Sequence, residues 1–158
     1  MAQSTDDKFR VTLLGTGAPP PRLDRFGPCT LVEVGKQKFI FDAGRGAMQR
    51  LHQLAIPFSD ITGMFLTHHH SDHVVGFPDL WLTGWIGRPW GQRAQPLPVY
   101  GPEGTRQMME HLPLAFHVDI RVRSRSYPPD GVKLNAHEIR QGVVFDRDGI
   151  QISAFEVD

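Results

Sequence analysis

Thr67-His68-His69-His70-Ser71-Asp72-His73 follows directly on the apolar run Gly63-Met64-Phe65-Leu66, and its reading decides the fold. Four metal-ligating side chains, His68, His70, Asp72 and His73, stand in the pattern H-x-H-x-D-H. An apolar strand that empties into such a loop holds divalent metal at the rim of a sheet. Imidazole nitrogen suits zinc, and a carboxylate adds a harder ligand that also accepts a hydrogen bond from water. In extended chain, residues two apart point the same way, so His68 and His70 can grip one ion while His69 faces away. Asp72 and His73 are adjacent and cannot share that direction. A turn into a helix beginning near His73 lets them face a second ion, and two ions about 3.5–4 Å apart clamp both attacking and leaving oxygens. The plainer alternative is a solvent loop of three histidines that binds metal adventitiously. Ordered spacing at a strand exit, followed by Gly76 inside an apolar stretch, weighs against it.

Upstream, residues 9–14 alternate as a first strand that stops at Gly15-Thr16-Gly17, and residues 18–28, with four prolines, form a loop. The Gly-x-Gly pair lacks the third glycine of a nucleotide loop, and a turn needing positive φ accounts for it. Residues 30–34 and 38–42 read as strands joined by Gly35-Lys36-Gln37, and residues 47–54 as a helix with Met48, Leu51 and Leu54 on one side. Downstream, residues 73–86 read as a helix interrupted near Pro78, and residues 87–98 as a loop. Val99-Tyr100 is a short strand, and Gly101-Pro102-Glu103-Gly104 starts a helix running to about Leu112. Residues 118–122, 133–139, 143–145 and 150–157 read as strands, the last two joined by the hairpin signal Asp146-Arg147-Asp148-Gly149. Strands mixed with helices throughout predict an α/β or α+β layer structure. Trp81 and Trp85, four apart on a helix, read as core rather than as a stacking platform.

The 158 residues suffice for one domain, and 40% apolar with 22% charged residues is a globular composition. Lys plus Arg equals Asp plus Glu at 17 each, so no overall field draws the chain to nucleic acid or an anionic membrane. The best local basic patch, Arg121, Arg123 and Arg125 with Lys133 and Arg140 nearby, reads more simply as a solvated strand edge. Cys29 stands alone, which excludes an intrachain disulfide, and no apolar run approaches the roughly 20 residues of a membrane span. With no signal peptide visible in Met1-Ala2-Gln3-Ser4-Thr5-Asp6-Asp7-Lys8, a cytoplasmic location is the expectation.

Leu14-Gly15-Thr16-Gly17, Phe41-Asp42-Ala43-Gly44 and the His/Asp loop occur in the order and spacing of the metallo-β-lactamase superfamily, which the chain resembles from Val11 onward. Asp72-His73-Val74-Val75-Gly76-Phe77-Pro78-Asp79-Leu80 and Val99-Tyr100-Gly101-Pro102-Glu103-Gly104 are similar to its ribonuclease Z and arylsulfatase-type branch. The resemblance implies a four-layer αβ/βα sandwich with a dinuclear zinc site. Residues 9–158 would be its N-terminal half, truncated, behind a disordered stretch 1–8. His68 and His70 would then bind one zinc and Asp72 and His73 the other, with Asp42 bonding backbone N–H groups to support the metal loop. The implied function is zinc-dependent hydrolysis of phosphodiester bonds, as in tRNA 3′ processing, or of aryl sulfate or phosphate esters. A metal-bound hydroxide oriented by Asp72 would attack. The implied partners are a small-molecule ester or RNA substrate and a homodimer, with no membrane.

The family also needs a third histidine, a bridging aspartate and a final histidine, whereas this sequence ends Phe155-Glu156-Val157-Asp158. The alternative is therefore an inactive half-domain or interaction fragment whose missing half comes in cis or from a second chain. His52, His111, His117 and His137 read as surface or capping residues rather than substitute ligands. Arg45 and Ser71 depart from the ribonuclease Z pattern, which has an acidic residue and a glycine there.

Overall fold

In the computed structural model, residues 9–157 are described; the expected disordered stretch 1–8 lies outside them. A six-stranded sheet runs in sequence order: β1 (Phe9–Gly15), β2 (Cys29–Val34), β3 (Gln37–Phe41), β4 (Gly63–Phe65), β5 (Leu97–Gly101) and β6 (Leu134–Glu138). The first three strands are antiparallel, and β3 to β6 are parallel. The helices are α1 (Ala47–Gln53), α2 (Ser71–Val74), α3 (Phe77–Trp85), α4 (Thr105–Ala115) and α5 (His117–Arg123). A separate hairpin follows, β7 (Gly142–Arg147) and β8 (Ile150–Ala154). Asp148 and Gly149 at its tip both have positive φ, 54° and 77°, as a two-residue turn of the Asp-Gly type demands.

Register divides the sheet into two faces. Leu31, Ile40, Met64 and Val99 lie across neighbouring strands on one, and each is fully buried. They meet Leu51, Phe77, Leu80, Trp81 and Met109 from the helices. Trp81 and Trp85 are fully buried, as their four-residue spacing predicts. Each satisfies its indole N–H on a distant carbonyl, Val132 at 2.8 Å and Pro128 at 2.7 Å. Arg93 is buried behind α3, donating to Trp81 O at 2.7 Å and to Gly131 O, and desolvation lowers its guanidinium to about 10. The opposite face is aromatic. Phe39, Phe65 and Tyr100 pack there with Phe145 of the hairpin.

The structure corrects several expectations. Residues 118–122 are not a strand: His117–Arg123 is helical, with the Arg123 Nε–Asp119 Oδ1 pair at 2.7 Å one turn apart. Val118, Ile120 and Val122 mimic a two-residue period, but Phe116 and Ile120 pack on the core at helical spacing while Val118 and Val122 face solvent. The basic patch is accordingly no strand edge, and Arg123 and Lys133 are paired with Asp119 and Asp130. The expected helix over 73–86 is two helices, because Gly76 N–H leaves the helical ladder for Ala43 O at 2.8 Å. Pro78 sits in the first turn of α3 and begins that helix rather than interrupting it. The helix expected from Gly101 starts at Thr105 and runs past Leu112 to Ala115, with Pro113 inside. The last strand stops at Ala154, short of 157.

Gly15 and Gly17 are not positive-φ residues. They are required by contact: a Cβ at Gly17 would stand 2.7 Å from Phe26 O, and at Gly15 it would overlap Gly27 O.

Candidate metal centre

The loop 67–73 leaves the C-terminal end of β4, a strand flanked on both sides by parallel neighbours. Such crevices beyond the carboxyl ends of strands are where open α/β sheets place ligands. Asp42, at the end of β3, organises the loop. It is buried and adopts the left-handed conformation, φ 59°, which Asp tolerates better than most residues. Its Oδ1 accepts from Thr67 N–H at 2.8 Å, and its Oδ2 accepts from Thr67 Oγ1 at 2.8 Å and His73 Nδ1 at 2.7 Å. Asp42 thus bonds one backbone N–H and two side chains of the 67–73 segment.

Those bonds fix tautomers. His73 spends its Nδ1 proton on Asp42, so its Nε2 lone pair faces outward. The Thr67 hydroxyl gives its one proton to Asp42 and must therefore accept from His68 Nδ1 at 3.0 Å, which leaves His68 Nε2 to accept from His70 Nδ1. A neighbouring group that fixes the imidazole tautomer is the arrangement metal-ligating histidines need. Desolvation first, and then the proximity of His73 and His70, holds the His68 imidazole below the usual histidine range and disfavours its protonation.

The candidate ligands lie side by side in pairs. His68 Nε2 lies 3.1 Å from His70 Nδ1, close to the roughly 3.3 Å that separates two nitrogens on one tetrahedral zinc at ~2.0–2.1 Å. The rings of His68 and His73 are 4.0 Å apart, and His73 Nε2 is 3.8 Å from Asp72 Oδ2. Imidazole nitrogens beside a carboxylate are a donor set suited to zinc. No group of three or more described side chains is gathered closely enough to enclose an ion by itself. The arrangement is an open cluster. Three further histidines are engaged elsewhere: His52 against Trp90, His137 stacked on Tyr100, and His117 on Leu114 O at 3.0 Å.

Backbone packing sets where the cluster sits. Ala43 N–H donates to His73 O at 2.6 Å, and Gly44 N–H to Pro28 O at 2.8 Å. A Cβ on Gly44 would stand 2.5 Å from Gly27 C and 2.7 Å from Asp72 O, and one on Gly76 would overlap Gly44 O. Three segments thus touch backbone to backbone beside Asp72, which only glycine permits. Sequence reading missed Thr67, Gly27 and Gly44 as site builders. Thr67 stands inside the quoted motif, but the glycine contacts join positions far apart in the chain and leave no local signal.

Beside the cluster runs a cleft of about 1110 Å³, between the aromatic sheet face and the hairpin. Thr67, His68, Phe65, Glu138, Arg140 and Ile152 are among its walls. Cys29 lies buried under the site, where desolvation and the Asp42 charge push its thiol up to about 12, so it takes no part as a thiolate. Among the described residues no helix is long and apolar enough to cross a membrane.

Ribonuclease Z of Mycobacterium bovis (strain BCG / Pasteur 1173P2) is 38% identical over 155 residues, covering 95% of this chain and 54% of that protein. The chain spans about half the length of the curated relatives it matches. Among solved structures, human tRNase Z, short form, superposes with a TM-score of 0.58 at 30% identity, over 68% of this chain and 39% of that one. The metallo-beta-lactamase fold protein YhfI from Bacillus subtilis reaches 0.66 at 17% identity, over 89% and 50%, and shows the fold alone. Of the activities implied by sequence resemblance, the named relatives carry the ribonuclease side. The model of the metallo-beta-lactamase superfamily matches residues 22–152, and the chain belongs to that superfamily.

Proposed function

We propose that the chain forms the metal-binding portion of a ribonuclease Z-like hydrolase that cleaves phosphodiester bonds in RNA, with His68, His70, Asp72 and His73 as zinc ligands. The observation that carries the reading is the side-by-side placement of His68, His70, Asp72 and His73, with His68 also lining the cleft. Two zinc ions, when bound, would supply activation of water and neutralisation of developing oxyanion charge. The chain's own residues do the rest. Asp42 and Thr67 orient His73 and His68. Asp72, held by the glycine contact at Gly44, orients the attacking water by accepting a hydrogen bond from it. The cleft beside His68 receives the scissile ester. Four ligands do not complete a two-metal site, so the full site draws further groups from outside the described residues. A reducing, cytoplasmic setting fits the lone Cys29.

The test is zinc binding and cleavage of precursor tRNA and a bis-aryl phosphate, by this chain and by a form extended to its relatives' length. The extended form should cleave in a zinc-dependent way, and His68→Ala with Asp72→Asn should abolish turnover. Neither metal uptake nor cleavage by either form would reject the proposal.

A second reading, an interaction fragment that associates through its uncovered sheet face, is favoured by one observation. Phe9, Val11 and Leu13 on β1 are 70%, 53% and 66% exposed on the aromatic side.

A further inference from the structure

Resting on the metal-site reading above, we propose that His69, the histidine without a ligand role, is a positioning residue. Its ring pins the 67–73 loop to the first turn of α4. His69 Nε2 lies 2.9 Å from Thr105 Oγ1. Thr105 is fully buried, and its hydroxyl donates to Pro102 O at 2.7 Å. A hydroxyl has one proton, so at His69 it can only accept, and His69 is the Nε2–H tautomer. The bond therefore has one direction and one geometry.

Two features make α4 a fixed point for it. Gly104 precedes the helix in the left-handed conformation, φ 95°, and His69 Cε1 lies 3.5 Å from where its Cβ would stand, so the ring has a bare seat over the backbone. Glu138 Oε1 of β6 accepts from Gly104 N–H at 2.9 Å and from Arg106 N–H at 3.2 Å, tying the same turn to the sheet. A chain of contacts thus runs from the metal loop through His69, Thr105 and Glu138 to the strand end whose residues 138–140 line the cleft with His68.

His68 and His70 flank His69 and meet each other, while the His69 ring turns to Thr105 instead. Holding the middle ring from behind fixes the direction of both neighbours. The 3.1 Å approach of His68 Nε2 to His70 Nδ1 is the distance this pin maintains.

The experiment compares His69→Ala, His69→Gln and Thr105→Val in the full chain by Zn²⁺ affinity, using competition with a chromophoric chelator. Metal-free amide exchange over residues 67–73 is followed in parallel, with β2 and β3 as internal controls. His69→Ala and Thr105→Val should each weaken zinc about tenfold or more, as loss of a group that orients ligands does. Combining the two should cost no more than either alone. Glutamine places an amide donor near the imidazole Nε2, so His69→Gln should keep affinity within about threefold and leave exchange unchanged. His69→Ala should also speed loop exchange by about tenfold while β2 and β3 stay as before. Affinity and loop exchange both within twofold of the parent in His69→Ala would overturn the pin. If the parent binds no zinc, the proposed function fails, and the metal-free exchange comparison still decides for or against the pin.

Discussion

The two faces of the six-stranded sheet differ in how fully they are covered. On the helical side Leu31, Ile40, Met64, Leu97 and Val99 are closed over by α1, α3 and α4, and none is exposed. On the aromatic side Phe39, Phe65 and Tyr100 are covered by one hairpin, and the face runs out uncovered across Phe9, Val11 and Leu13. The first face supplies stability by removing apolar area from water. The second leaves room for a cleft that a sealed core would have filled. The loop carrying His68 emerges from β4 where the two regions meet, so a rigid support and an open approach are both within reach of the same residues.

Substitutions should separate the faces, and the largest effect belongs to the closed one. Trp81→Ala removes a fully buried indole and its bond to Val132 O, and should cost about 3–5 kcal/mol in a urea unfolding curve. A loss below about 1 kcal/mol would mean that the helical side is not the stabilising one. Gly44→Ala acts at the junction. The added carbon meets Gly27 and Asp72 O, so a loss of about 1–3 kcal/mol should come with weakened zinc uptake as Asp72 is displaced. Unchanged stability and metal affinity would show that the three-segment contact can relax. Smallest is the open face, where Val11→Thr with Leu13→Thr should shift unfolding by no more than about 0.5 kcal/mol while reducing self-association on size exclusion. A drop of more than about 2 kcal/mol would mean that this face is already covered.

Local chemistry was the legible part of the fold. The alternation of β1, the Asp148-Gly149 turn and the buried spacing of Trp81 and Trp85 all follow from neighbours in sequence. That His68, His70, Asp72 and His73 lie close together was legible because they are near neighbours in sequence, two at the strand exit and two in α2. The expectation for Asp42 rested on family resemblance alone, since its partners at 67 and 73 are set by the pairing of β3 with β4. α5 was misread because β-branched residues at 118, 120 and 122 satisfy a strand period, while the contacts of Phe116 and Ile120 that decide for a helix are tertiary. Thr105 was invisible as a partner of His69, 36 positions away, because a threonine at the start of a helix carries no mark of what it will face.

One carboxylate holding Thr67 and His73 together makes the inner wall of the site a single mechanical unit. Drift at position 42 could not be absorbed one neighbour at a time, since the same oxygen atom governs how two imidazoles stand. Any sequence that abandons this acid must re-engineer the whole corner at once, and for that reason position 42 is a sensitive place to look for a relative that has given up the chemistry.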